Sequence, residues 1–217
     1  MGYKEIVKRL EIERDLVKKD GIITSEEIKK ICKEKTINLK YNAAISYLLS
    51  NNYLVRILRG IFYIKTIGEK KKGIVKINFI EGITKALKIR GVKKWYFGLE
   101  TALKLNNLTH ETFFVDTILN NKIKNNRPVN ILGHKTKITK IKGIDFSFGI
   151  KKALTRDRKE YYYYSDPERT ILDIVYISKY NKKTNREIKN KISGYKYNKE
   201  KLSKYLKHYP KTIREVF

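Results

Sequence analysis

The chain is short of acid. Its 217 residues carry 22 Asp and Glu against 50 Lys and Arg, a formal net charge of +28. That deficit excludes a neutral surface and favours a polyanionic partner, most simply nucleic acid, because neutralising phosphates releases condensed counterions. The chain is heavy in Lys, Ile, Asn and Tyr, whose codons are A/T-rich, so codon bias is the bland account of the lysine count; it does not explain the failure of Asp and Glu to keep pace. The single cysteine, Cys32, excludes an internal disulfide and leaves no cysteine spacing for zinc. No apolar run approaches the ~20 residues of a membrane span. The first residues, MGYKEIVKRLEIERD, read as a charged helix and not as a signal peptide. A cytoplasmic protein without a membrane partner is expected.

Catalytic patterns are missing too. His110, His134 and His208 are scattered, and Gly133-His134-Lys135 lacks the glycine run and following helix of a phosphate loop. No nucleophile stands with a base. The expectation is a binding protein with no catalytic residue, no metal and no cofactor.

What is present is a fold. A 41% hydrophobic content supports real cores, and the pattern is α+β. Thr24 and Glu27 are spaced as a capping box, followed by Ile28, Ile31 and Cys32 on one stripe. A second helix, about Leu39 to Ser50, buries Ala44 or Ile45, Leu48 and Leu49. It leaves Lys40, Tyr41, Asn42, Ser46 and Tyr47 outward. Strands over Tyr53–Arg56 and Ile61–Lys65 flank Leu58-Arg59-Gly60, where Gly60 can take a positive φ. This order is that of a winged helix-turn-helix, with Lys4–Lys19 as its first helix (Ile6, Val7, Leu10 and Leu16 or Val17 inward) and Ile22-Ile23 as a short strand beside the wing. A major-groove helix needs short polar groups at base edges and Lys or Tyr on phosphates. Tyr41, Asn42, Ser46 and Tyr47 are the candidate readers; Lys40, Arg56 and Arg59 are the candidate phosphate contacts.

The charged run Gly68 to Gly73 is the expected boundary, free or ordered, between a DNA-binding domain (1–68) and a mixed α/β domain (74–217). In the latter, helices are expected over Asn78–Arg90, Leu99–Leu105 and after Asp166-Pro167, where Asp caps and Pro takes the first turn. Strands are expected at Trp95–Phe97, Thr112–Ile118, Val129–Leu132, Ile138–Lys142, Phe146–Phe148 and Tyr161–Tyr164. Two capped helices close the chain, and residues 179–217 hold thirteen basic against three acidic residues, so the end is the most basic part. Asp166, Glu168 and Asp173, with Asp145, could bind a nuclease metal; capping and an i,i+4 pair of Arg169 with Asp173 explain the same residues more simply.

Three segments, in order, resemble one family. They are NAAISYLLSNNYLVRILRGIFYI (Asn42–Ile64), YFGLETALKLNNL (Tyr96–Leu108) and DPERTILD (Asp166–Asp173). They are similar to the AbiEi-type antitoxins of abortive-infection, type IV toxin–antitoxin systems. The resemblance implies an N-terminal winged helix that represses its own operon by binding double-stranded DNA repeats in the promoter. It also implies a C-terminal domain, with Asp166, Glu168, Arg169 and Asp173 in its motif, that counteracts a nucleotidyltransferase-like AbiEii toxin without needing a stable complex with it. The alternatives are a winged-helix regulator with a ligand-sensing C-terminal domain and a metal-dependent nuclease.

Overall fold

A computed structural model describes residues 2–17 and 20–217, Val17 by its backbone alone. The chain is mixed α+β and divides into two compact units. One comprises the residues up to Arg90 with Ile131–Gly133, the other Gly91–Asn130 with His134–Phe217.

In the first unit α1 (Gly2–Ile12) buries Ile6 and Leu10. It gives way to a π-helical turn, Glu13–Val17. The helix read as far as Lys19 therefore loses α-helical geometry after Ile12. Leu16 is 75% exposed, not inward, and Lys18, Lys19 and the Val17 side chain lie outside the described residues. Strand β1 (Ile22–Thr24) leads into α2 (Ser25–Cys32), whose Thr24–Glu27 capping box is complete. Helix α3 (Tyr41–Ser50) follows, and then the hairpin of β2 (Leu54–Leu58) and β3 (Ile61–Ile64). The sheet order is β1-β3-β2, with both pairings antiparallel. Ile6, Ile28, Ala44, Leu48, Leu54 and Phe62 meet in one core. The helices close on one face of the sheet through Phe62 and Ile64, and β3 is buried on its other face as well.

The run read as a boundary is ordered. It forms α4 (Ile67–Lys72), started by a second capping box, Thr66 with Glu69, and stopped by Gly73 at φ 66°. Glu69 is fully buried. Its Oε1 accepts from the Tyr63 hydroxyl at 2.8 Å and from the Lys76 N–H at 2.6 Å. Burial pushes the Glu69 carboxyl up, but the N–H donors of Thr66 and Lys76 and the Tyr63 hydroxyl outweigh it and hold the carboxyl below its usual range. Burial and the same carboxylate push the Tyr63 phenol up to about 12. The buried Glu69 carboxylate ties α4 into the first unit, and α5 (Phe79–Ile89), which packs against β2, belongs to that unit as well, so the division falls after Arg90.

The second unit is built on a mixed six-stranded sheet. Its strands are β4 (Trp95–Phe97), β5 (Asp116–Asn120), β6 (Val129–Ile131, whose last residue groups with the first unit), β7 (His134–Lys140), β8 (Ile150–Leu154) and β9 (Tyr161–Ser165). Their spatial order is β6-β7-β5-β4-β9-β8. Neighbours β5/β7 and β4/β9 run parallel, β4/β5 and β8/β9 antiparallel. Its helices are α6 (Leu99–Leu105), α7 (Pro167–Tyr180), α8 (Asn185–Ile192), α9 (Lys199–Leu206) and α10 (Lys211–Arg214). The core joins Tyr96 and Leu119 of the sheet to Leu103, Leu172, Val175 and Leu202 of the helices.

Three strand expectations shift. The strand read over Ile138–Lys142 is β7, which starts at His134 and ends at Lys140. Residues 112–115 are irregular and β5 starts at Asp116. Phe146–Phe148 is not a strand, because Asp145 turns the chain by accepting from the Ser147 N–H at 2.9 Å. Among the described residues no helix is long and apolar enough to cross a membrane.

Candidate nucleic-acid interface

Helix α3 presents a narrow face of short side chains. Asn42, Ala43, Ser46 and Ser50 are exposed, while Ala44, Ile45 and Leu48 are buried behind them. The spacing i, i+1, i+4, i+8 is one helical face, and its short groups let another surface approach the helix closely. Lys40, exposed, sits at the N-cap without a side-chain cap bond.

The two tyrosines behave differently from the sequence expectation of an outward position. Both are half-buried. The Tyr41 hydroxyl pairs with Ser25 Oγ at 2.7 Å, and Lys29 Nζ lies 5.3 Å from its ring centre. Tyr47 packs between Tyr3 and Tyr53, with ring centres 4.5 and 6.2 Å away. These rings brace α3 against α1, α2 and the residue that leads into β2. The outward expectation came from helical periodicity, which places a residue on a face but does not say whether a neighbouring helix covers it.

The hairpin carries its cations outward. Arg56 is exposed, its guanidinium 5.7 Å over the Phe62 ring. A bulge at Ile57 separates it from the turn. Arg59 is exposed on that turn, and Gly60 takes φ 78°. A Cβ on Gly60 would stand 3.0 Å from Ser25 Oγ, and the Gly60 carbonyl accepts from the Ser25 N–H at 2.9 Å. The tip is therefore anchored to the start of α2, which fixes Arg59 relative to α3. Lys29, Lys30 and Lys33, exposed on and after α2, add cations that the sequence reading left out; their outward period on α2 was the available signal.

The DPERTILD segment forms the first half of α7 and lies inside the second unit. Arg169 is 0% and Asp173 1% exposed. The Asp166 carboxylate caps α7 by accepting from the Arg169 N–H at 2.9 Å. Its other oxygen accepts from the Tyr205 hydroxyl at 3.0 Å and pairs with Lys201 at 2.8 Å. Glu168 accepts from the Asn198 N–H at 2.9 Å and pairs with the same ammonium at 2.9 Å. Burial pushes the Lys201 ammonium down, but Asp166 and Glu168 outweigh it and hold it above its usual range.

Asp173 accepts from Tyr96 at 2.8 Å and from Tyr209 at 2.6 Å, with Arg169 Nε 3.8 Å away. Burial pushes the Asp173 carboxyl up, against the pull of Arg169 and both hydroxyls. Arg169 also donates to Tyr96 at 3.0 Å and to the Phe148 carbonyl, and its guanidinium lies 4.6 Å from the Tyr96 ring centre and 4.4 Å from that of Phe148. Gly149, at φ 60°, makes room: a Cβ there would meet Arg169 Cβ at 2.8 Å. The i,i+4 pair read from sequence is thus the centre of a buried network that includes Tyr96, Phe148 and Tyr209. Asp145 lies apart, exposed and bonded to Ser147. The carboxylates considered as nuclease ligands spend their oxygens on tyrosines, backbone N–H groups and Lys201.

Comparison with known proteins adds a fold. Neither a protein-family model nor a curated protein sequence matches this chain. Among solved structures, the RV2827C protein from Mycobacterium tuberculosis superposes with a TM-score of 0.57 at 13% identity. The match covers 98% of this chain and 73% of that one. The likeness is one of architecture along nearly the whole chain.

Proposed function

We propose that the first unit is a winged helix-turn-helix that binds double-stranded DNA. On this reading α3 is the recognition helix and the β2–β3 hairpin is the wing. The observation that carries it is the exposed face of Asn42, Ala43, Ser46 and Ser50, set beside a hairpin turn that is tied to α2 and carries Arg59. Short polar groups reach base edges, and fixed cations reach phosphates. Tyr41 and Tyr47 hold α3 in place more than they reach outward, so base reading falls to Asn42 and Ser46, with Lys40, Arg56 and Arg59 on phosphates.

The ordered resemblance to AbiEi-type antitoxins supports the wider reading. The chain is a cytoplasmic, non-catalytic antitoxin and autorepressor of its own operon, and its second unit counteracts a nucleotidyltransferase-like toxin. In that unit Asp166, Glu168, Arg169 and Asp173 act as the scaffold that holds α9 and Tyr209 to α7 and to Tyr96 of the sheet.

The test is a titration of the full chain against a duplex from its own promoter and a shuffled duplex of equal length, at two salt concentrations. A specific regulator binds its site roughly a thousandfold or more tighter than other DNA, and both affinities fall with salt. Equal affinity for the two duplexes would overturn the autorepressor reading.

A further inference from the structure

The β8–β9 hairpin of the second unit has no part in the reading above, and its surface is built unlike the rest of the sheet. β8 is an edge strand. Lys152 is paired across the ladder with Tyr163, and Leu154 with Tyr161, so the four side chains share one face. Tyr161 is 48% and Tyr163 36% exposed, although a run of four tyrosines reads in sequence as a strand packed on both sides. Lys152 Nζ lies 5.0 Å from the Tyr161 ring centre.

The connecting turn is held from within. Thr155 Oγ1 donates to Asp157 Oδ1 at 2.6 Å, the Arg158 N–H donates to the Thr155 carbonyl at 2.8 Å, and the Lys159 N–H donates to Asp157 Oδ1 at 3.2 Å. Arg158 itself takes φ 56°. The turn thereby holds Arg156, Arg158 and Lys159 exposed, and none of the three has an ion-pair partner among the described residues.

We propose that this hairpin binds an unpaired nucleic-acid strand, with Tyr161 and Tyr163 stacking on bases and Lys152, Arg156, Arg158 and Lys159 on the phosphates. Residues two apart on a strand are about 6.8 Å apart, roughly twice the 3.4 Å step of one strand in a duplex. Rings at that spacing fit bases drawn apart to stack singly, and a duplex leaves them without a partner. Aromatic platforms flanked by cations bind single strands with little sequence preference, because every base has a flat face.

The experiment uses the full chain and fluorescence anisotropy with labelled 12-mers of uridine and of thymidine, beside a duplex of the same length. The only tryptophan, Trp95, stands edge-on to Tyr163 at 5.9 Å, so its emission gives a label-free second readout. Tyr161→Ala with Tyr163→Ala should weaken single-strand binding by at least about twentyfold, with duplex binding held. Tyr161→Phe with Tyr163→Phe should restore it, since stacking needs the ring and not the hydroxyl. Arg156→Ala with Arg158→Ala should flatten the salt dependence. A preference between the two strands would show whether RNA or DNA is the natural source. Unchanged single-strand affinity in the alanine variant, or failure of phenylalanine to restore a lost affinity, would overturn the proposal.

Discussion

Asp173→Asn should cost the second unit about 3–5 kcal/mol, because it leaves the Arg169 guanidinium buried without its counter-charge. Domains hold only ~5–15 kcal/mol in total, so a loss of that size brings the unit close to unfolding at physiological temperature. Chemical denaturation of native and variant protein measures it. The reverse substitution should behave differently with pH. In Arg169→Met the buried Asp173 carboxyl loses its cation, and burial already pushes it up. A group whose folded pKa is raised binds its proton more tightly when folded, so stability rises as pH falls through that folded pKa. The Arg169→Met penalty should therefore shrink as pH falls from neutral toward the ordinary carboxylate range. The Asp173→Asn variant lacks the titrating carboxyl, and arginine does not shed its proton, so its own stability should show no such gain over that range. Parallel pH profiles for the two variants would contradict the buried pair as described.

The second large effect concerns DNA. Arg56→Ala with Arg59→Ala should weaken binding to promoter and shuffled duplex alike and lower the salt slope by about one per residue. Asn42→Ala should leave the salt slope alone and remove about 1–3 kcal/mol of discrimination between the two duplexes. Both hairpin arginines and Asn42 are exposed, so neither change should disturb folding. If all three substitutions shifted every affinity by the same factor, the division into base reader and phosphate clamp would be wrong.

Much of this architecture was legible because it is local. Thr24 with Glu27, Thr184 with Glu187, and Asp166 followed by Pro167 each announce a helix within four residues, and each cap is made as read. The Thr66–Glu69 box has the same spelling, yet the glycines and lysines around it read only as a boundary, free or ordered. What decided the matter was the burial of Glu69 against Tyr63, which no local pattern reports. Long-range partners were out of reach for the same reason. Asp173 meets Tyr96 across 77 positions and Tyr209 across 36, and nothing near DPERTILD in the sequence points to either. Helical periodicity placed Tyr41 and Tyr47 on the outer face, but the neighbours that half-cover them, Ser25 and Tyr3, come from other helices. Strand β8, IKKAL, carries too few β-branched or aromatic residues to stand out, and is a strand because β9 pairs with it.

The central claim, that α3 lies on promoter DNA, can be tested at one residue. Cys32 is buried, and burial pushes its thiol up, so Ser50→Cys would create a uniquely reactive thiol at the exposed end of α3. A DNA-cleaving iron chelate attached there should cut the promoter duplex at a few adjacent positions in each repeat, and leave shuffled DNA with diffuse, weak cutting. Uniform cutting along both duplexes, with promoter binding otherwise intact, would place the DNA on some other surface of the protein.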